Sequence, residues 1–213
     1  LGTRMAWHFQ PRPGDARPLS VVADELGLLW PGAMLGHCVD IELTEIPLLA
    51  ARGVDVVTLP VTNARLGMRT CPVPELLGGG VNVALGTDGA ASNNRLDIWG
   101  EMRSAALLHK GVTKDPTAVP ARAALEMATL GGARAAGFSN KGLLREGWAA
   151  DLVLLDPDSP CVFSGESPSG GNTSHWFSRS ANAAPYASSP ACAQLYGRIE
   201  AVWKDGELAY TRE

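Results

Sequence analysis

The stretch "VNVALGTDGAASNN", Val81 to Asn94, decides the fold because it joins a buried strand to a carboxylate. Its apolar run, Val81 to Leu85, has the pattern of a strand that is buried on both faces of a sheet. The run leads to Asp88, which stands between Gly86 and Gly89. Because Asp beside Gly is common in turns, Asp88 has either a structural role in a turn or a chemical role at a strand end.

Three further strand-like runs precede this one, and helical patterns separate them. The four predicted strands are Thr3 to Phe9, Ala33 to Val39, Val54 to Leu59 and Val81 to Leu85. The predicted helices among and after them are Leu19 to Leu28, the segment from Thr44 to Gly53, "PVPELLGGG", "LDIWGEMRSAALLHKG" and "DPTAVPARAALEMATLGGARAAG". Strands that alternate with helices over short connections predict a parallel sheet in an α/β protein, because parallel neighbours need a crossover.

Polar side chains lie at or just beyond the carboxyl ends of these strands: His8, His37, Asn63 and Asp88. In an α/β barrel the chemistry is assembled at that end of every strand, whereas an open sheet gathers ligands at one crevice. The distribution therefore favours a barrel. Four strand–helix steps are half of an eight-stranded barrel of about 250 residues. We expect the C-terminal half of a (β/α)8 TIM-type barrel, with the other half upstream of Leu1.

Two domains are predicted. Residues 1–140 form the barrel part, with strands five to eight of the barrel and their helices. Residues 141–213 form part of a small β-sandwich, with a strand at Ala150 to Leu155 and a hairpin around Lys204-Asp205-Gly206. Between these strands, residues 157–196 are rich in Ser, Gly, Ala and Pro and predict a long irregular loop.

Composition limits the class of protein and its partners. The 213 residues are 46% hydrophobic and 19% charged, as in globular proteins, and the net charge of -4 provides no basic surface for nucleic acid. No apolar run is long enough to span a membrane. Four scattered cysteines without a CxxC pair argue against a disulfide framework and favour the cytoplasm. A small molecule is the expected partner, and a homo-oligomer is left open.

Three motifs carry a resemblance to a known family: "GHCVD" from Gly36, "TLPVTN" from Thr58 and "GTDGAASNNRLD" from Gly86. With them the chain strongly resembles the amidohydrolase superfamily. It is most similar to the branch of deaminases and chlorohydrolases that includes S-adenosylhomocysteine/methylthioadenosine deaminases and triazine hydrolases. The segment "GLLREGWAADLVLLD" resembles the return into that family's β-sandwich, and the resemblance extends from about Thr3 to Asp156.

The resemblance implies one divalent metal ion, zinc or alternatively iron, at the C-terminal mouth of the barrel. His8 takes the place of the third metal-binding His of the family, and Asp88 takes the place of the metal-linked Asp. The family's His-x-His pair has no counterpart in this chain. A chain that begins after the fourth strand of the barrel would lack that pair.

The resemblance also implies the catalytic residues, His37 and Asp88. His37 resembles the His that orients or polarises the substrate, and Asp88 acts first as general base and then as general acid. Substrate-binding positions are His37, Asn63, Ser92 and Asn93. For the last three, turn and capping chemistry is the alternative.

The predicted function is hydrolysis of a non-peptide C–N bond, as deamination or dechlorination of an amino-substituted heterocycle. One departure is Pro11, which stands where the deaminase branch commonly has a proton-shuttling Glu. It leaves two alternatives open: an inactive binding or oligomer-building subunit, and a cyclic amide hydrolase of the dihydroorotase type. The charges around Glu101 and Arg103 are interpreted as a solvated helix face.

Overall fold

The structure, a computed structural model, describes residues 5–9, 17–160 and 196–212. Its contacts divide the chain into two compact units, Leu1–Ser139 and Asn140–Glu213. Pro11 and most of the predicted loop, residues 161–195, lie outside the described residues. None of the described helices is long and apolar enough to cross a membrane.

The first unit contains a four-stranded parallel sheet in the order β1-β2-β3-β4. Its strands are β1 Ala6–Phe9, β2 Met34–His37, β3 Asp55–Thr58 and β4 Asn82–Leu85. The order confirms the predicted α/β class with a parallel sheet. Strands β2, β3 and β4 are each shorter than the predicted run. In β2 the reason is visible, because His37 and Cys38 adopt left-handed backbone angles that end the strand pairing.

Helices lie in the connections between these strands and in the segment after β4. They are α1 Leu19–Glu25, α2 Ile46–Arg52, α3 Pro60–Arg65, α4 Val73–Gly78, α5 Ala90–Asn93, α6 Ile98–Thr113, α7 Ala121–Glu126 and α8 Gly132–Ala135, with a 3-10 turn Leu43–Glu45 before α2 and a π-helical turn Met127–Gly131 between α7 and α8. The predicted end of α2 at Gly53 is confirmed, since this residue has a φ of 62°.

Two helix starts differ from the sequence prediction. The helix predicted from the Pro116 region begins only at Ala121, because Asp115 accepts hydrogen bonds from Thr117 in a turn and Val119 has a φ of 44°. Helix α3 was not predicted. It follows β3 at once, and Pro60 at its first position was the available sequence signal.

The hydrophobic core lies between the sheet and the helices. Its largest fully buried apolar side chains come from strands and from helix faces: Leu35, Leu49, Leu76, Met127, Val54, Val56, Val73 and Val83. This core holds the carboxyl ends of all four strands at one edge, which is where the predicted site residues stand.

The second unit contains an antiparallel sheet in the order β5-β6-β7. Its strands are β5 Leu152–Pro160, β6 Tyr196–Lys204 and β7 Glu207–Thr211, so both ends of the predicted loop 157–196 belong to strands. The predicted hairpin is confirmed, with positive φ at Asp205 and Gly206 as a two-residue turn requires. The Lys141 ammonium pairs with Asp151 and Asp205 at 2.7 and 2.9 Å.

A close helix–strand contact at Gly131 yields a stability prediction. A Cβ atom there would lie 2.6 Å from the Val83 carbonyl oxygen, whereas a Cβ at the neighbouring Gly132 would lie 3.5 Å from its nearest neighbour. We expect Gly131→Ala to lower the free energy of unfolding by about 1–3 kcal/mol, because backbone must move. The matched variant Gly132→Ala should raise it by about 0.5–1 kcal/mol through helix propensity. Equal effects in denaturant titrations would contradict this account.

Candidate active site

Three predicted site residues from three different strand ends meet at one edge of the parallel sheet. The distance from His37 Nε2 to His8 Nδ1 is 2.9 Å, and the distance from His37 Nε2 to Asp88 Oδ2 is 3.7 Å. The two imidazole rings lie 5.0 Å apart between centroids. His37 is buried, while His8 is exposed and Asp88 is half-buried. The cluster therefore has a buried side formed by His37 and an accessible side formed by the other two.

Left-handed backbone angles mark both predicted catalytic residues. His37 has a φ of 69° and Asp88 a φ of 61°, and Cys38 beside His37 has a φ of 48°. Residues other than glycine seldom adopt such angles, and strain of this kind collects at functional sites. The Asp88 carboxylate turns back on its own loop, where Oδ1 accepts the Gly89 N–H at 2.8 Å. Oδ2 is thereby left facing His37.

Asn63 fixes the orientation of the His37 ring. Its Oδ1 lies 2.7 Å from His37 Nδ1, and because an amide oxygen only accepts, Nδ1 carries the proton. The second contact of the ring joins His37 Nε2 and His8 Nδ1. His8 Nε2 takes part in neither of these two hydrogen bonds. Asn63 Nδ2 is buried and has no hydrogen-bond partner among the described residues.

Ser92 and Asn93 lie on α5, one turn beyond Asp88. The Ser92 hydroxyl donates to the Gly89 carbonyl at 3.1 Å. The Asn93 side chain is buried, and its Nδ2 donates to the Thr87 carbonyl at 2.7 Å and to Glu101 Oε1 at 2.6 Å. Substrate contact by these two residues stays a prediction. For Asn93 the amide group is already engaged by other groups of the protein.

Glu101 is a site residue that sequence reasoning missed. The expectation of a solvated face is wrong here, since only 1% of this residue is exposed. Its Oε2 accepts the Val61 N–H at 3.0 Å. Burial raises the pKa of this carboxyl, and the hydrogen bonds from Val61 and Asn93 act in the opposite direction. The available signal was its position in the first turn of α6, four residues after the capping residue Asp97.

The cluster has the donor chemistry of a zinc site but an incomplete number of ligands. Imidazole nitrogen and carboxylate oxygen are common zinc ligands, and catalytic zinc takes three protein ligands plus an open position. Among the described residues there is no group of three or more His, Cys, Asp or Glu side chains arranged to hold a metal ion. His8 Nε2 and the Asp88 carboxylate fit as two ligands of such a site.

The contact between Asn63 and His37 yields a second prediction. We expect Asn63→Leu to lower kcat about 10–100-fold in protein expressed from the complete open reading frame, because the His37 ring loses its acceptor and its fixed orientation. The matched control is Asn82→Leu, which removes hydrogen bonds to Asp55 and Gly131 at the start of β4. The control should lower stability and leave kcat of the folded protein within about twofold.

Comparison with known proteins identifies the family that this chain resembles. A family model described as the amidohydrolase family matches residues 18–209. The 5-methylthioadenosine/S-adenosylhomocysteine deaminase of Syntrophobacter fumaroxidans is 51% identical over 138 residues, which are 64% of this chain and 32% of that protein. The chain therefore spans about a third of the length of this curated relative.

Two solved structures are similar over most of the chain. An adenosine deaminase from Xanthomonas campestris, solved with bound zinc, is 34% identical with a TM-score of 0.69, covering 90% of this chain and 40% of that one. The atrazine chlorohydrolase of Arthrobacter aurescens TC1, also complexed with zinc, is 26% identical with a TM-score of 0.70, covering 98% and 44%. The branch suggested by the sequence motifs is confirmed by these relatives.

Proposed function

Because the chain belongs to the amidohydrolase family, we propose that it forms part of a metal-dependent hydrolase that deaminates an adenosine-like nucleoside. The observation that carries the proposal is the convergence of His8, His37 and Asp88 from three strand ends within hydrogen-bonding or near-contact distance. An adenosine-like substrate is chosen because relatives similar to this chain are named as deaminases of such compounds.

The architectural part of the proposal concerns the rest of the site. We infer that β1 to β4 are strands five to eight of a (β/α)8 barrel, and that β5 to β7 belong to a β-sandwich. The barrel part would be residues 1–140 and the sandwich part residues 141–213. Further ligands for the metal would then come from the other strands of the barrel. The cytoplasmic location and the homo-oligomer stay predictions.

The proposed metal is one divalent ion, zinc first and iron as the alternative. His8 Nε2 and the Asp88 carboxylate would hold it, since that nitrogen takes part in neither hydrogen bond of the His37 ring and the carboxylate is half-buried at the same edge. When bound, the ion acts as a Lewis acid and lowers the pKa of water toward about 7.

Two residues of the chain would then act on the substrate: Asp88 in proton transfer and His37 in orientation. The Asp88 carboxylate accepts the proton of the attacking water and passes it to the leaving amine, as general base and then general acid. His37 is held by Asn63 through Nδ1, and its Nε2 edge lies beside His8 and Asp88. Orientation or polarisation of the substrate by this edge stays a prediction. Asn63 Nδ2 is buried and unpartnered among the described residues, so a substrate contact by this donor would require the site to open. Ser92, on α5 after Asp88, stays a predicted substrate-binding residue.

An inactive binding subunit is the second candidate, and Pro11 at the position of the shuttling Glu favours it.

The test is ammonia release by protein expressed from its complete open reading frame, with 5-methylthioadenosine and S-adenosylhomocysteine as substrates. We expect turnover that a chelator abolishes and that zinc restores. Ligand binding and bound metal without ammonia release would contradict deamination and favour the binding subunit. In a parallel assay with dihydroorotate, a cyclic amide, ring opening without ammonia would favour a cyclic amide hydrolase.

A further inference from the structure

The Thr87 carbonyl, directly before Asp88, is held by two buried side chains. Asn93 Nδ2 donates to the Thr87 oxygen at 2.7 Å, and Thr62 Oγ1 donates to the same oxygen at 3.1 Å. Thr62 is fully buried and Asn93 is 3% exposed. A carbonyl with both lone pairs satisfied has a fixed orientation, so the peptide plane that leads into Asp88 is fixed as well.

Glu101 anchors the group that holds this carbonyl. Its Oε1 accepts from Asn93 Nδ2 at 2.6 Å and its Oε2 accepts from the Val61 N–H at 3.0 Å. One buried carboxylate therefore ties the start of α3, which carries Thr62, to the end of α5, which carries Asn93. Hydrogen bonds to a buried carboxylate are strong, and removing one donor leaves a buried carboxylate oxygen without a partner. A third hydrogen bond links the same helices, because Arg65 Nη1 donates to the Asn93 carbonyl at 2.9 Å.

We propose that Glu101 and Asn93 are positioning residues, which hold the Thr87–Asp88 peptide so that the Asp88 carboxylate faces His37. This inference rests on the proposed function of Asp88 and replaces substrate contact as the role of Asn93. The need for positioning follows from the backbone, since Asp88 has a φ of 61° and such strained geometry persists only where surrounding contacts maintain it. Neither residue touches the reacting atoms.

The test exchanges the amide and the carboxylate between the two positions. In Glu101→Gln the new amide NH2 faces a donor, either Asn93 Nδ2 or the Val61 N–H, so one hydrogen bond is lost. In the double variant Asn93→Asp/Glu101→Gln the new amide donates to the new carboxylate at position 93, and its oxygen accepts from the Val61 N–H. Both contacts of position 101 are thereby restored, but the carboxylate at position 93 has no proton to donate to the Thr87 carbonyl. The double variant therefore removes the hydrogen bond from position 93 to the Thr87 carbonyl while it keeps the hydrogen bond between positions 93 and 101.

We expect the double variant to recover part of the unfolding midpoint that Asn93→Asp alone loses, because the contacts of position 101 return while the Thr87 carbonyl still lacks its amide donor. Hydrogen exchange in the peptide covering residues 86–94 should remain about tenfold faster than in the wild type, and kcat should remain about 10–100-fold lower with little change in KM. Thr62→Val, which removes the second donor of Thr87, should accelerate exchange in the same peptide. Wild-type exchange in this peptide of the double variant would overturn the proposal.

A matched control separates this role from the general cost of changing a buried carboxylate. Glu45 is 5% exposed and accepts hydrogen bonds from the Ser20 N–H and hydroxyl, away from the Asp88 loop. We expect Glu45→Gln to lower stability without altering exchange in residues 86–94. Exchange is measured without substrate, so it decides the proposal even if the wild type released no ammonia, an outcome that would overturn only the proposed function.

Discussion

Asp88→Asn lowers kcat by about 10²–10⁴-fold in protein expressed from the complete open reading frame, if Asp88 carries the proton as proposed. An amide cannot accept the proton of the attacking water, and it is a poorer metal ligand than a carboxylate. Asparagine is the right replacement because it tolerates the left-handed backbone of Asp88, where φ is 61°. The loss of kcat therefore measures the missing carboxylate and not a misfolded loop. The measurement is steady-state ammonia release with the metal content determined for each preparation.

The control for this prediction is Asp205→Asn. Asp205 has a φ of 50° and lies in the exposed turn between β6 and β7, so it undergoes the same substitution in a similar backbone conformation. We expect its kcat to stay within about twofold of the wild type, as for most surface changes. Retention of full activity by Asp88→Asn, with the metal still bound, would remove Asp88 from the mechanism.

His37→Asn has the second largest expected effect, a loss of about 10²–10³ in kcat. The imidazole is buried, held by Asn63 through Nδ1, and lies 3.7 Å from Asp88 Oδ2 through Nε2. The shorter amide cannot reach both neighbours, so the orienting role proposed for the imidazole is lost. Asparagine again tolerates the backbone, whose φ is 69°.

The comparison for His37→Asn is His109→Asn. His109 is 2% exposed, and burial lowers the pKa of its imidazole to about 4, so it is a neutral buried histidine outside the cluster. Both variants should lose stability, but after correction for the folded fraction only His37→Asn should lose kcat by more than about tenfold. Equal loss in both would mean that His37 contributes to packing alone.

Much of the fold was predictable because its signals are local. Apolar runs marked β2, β3 and β4 to within a few residues, and Gly53 marked the end of α2 through its left-handed conformation. His8, His37 and Asp88 were placed at strand ends by counting along the chain. Their approach to one another followed from the parallel order of the strands, which brings all carboxyl ends to one edge.

Contacts between distant residues could not be predicted. Glu101 has the sequence pattern of an exposed helix position, and only the approach of α3 and α5 makes it a buried carboxylate with two partners. Substrate contact by Asn93 is predicted from its place after Asp88 and stays a prediction. Its engagement with Thr87 and Glu101 depends on the tertiary packing of α6, which no local pattern records.

The central claim is hydrolytic deamination, and its most direct test is whether the oxygen atom that enters the product comes from water. Protein expressed from its complete open reading frame is incubated with 5-methylthioadenosine in water enriched in oxygen-18, and the product and ammonia are measured. Hydrolytic deamination at the site of His37 and Asp88 predicts one labelled oxygen in the product for each ammonia released, and product formation about 10²–10⁴-fold slower with Asp88→Asn. An unlabelled, unchanged nucleoside in the presence of metal-loaded wild-type protein would contradict it.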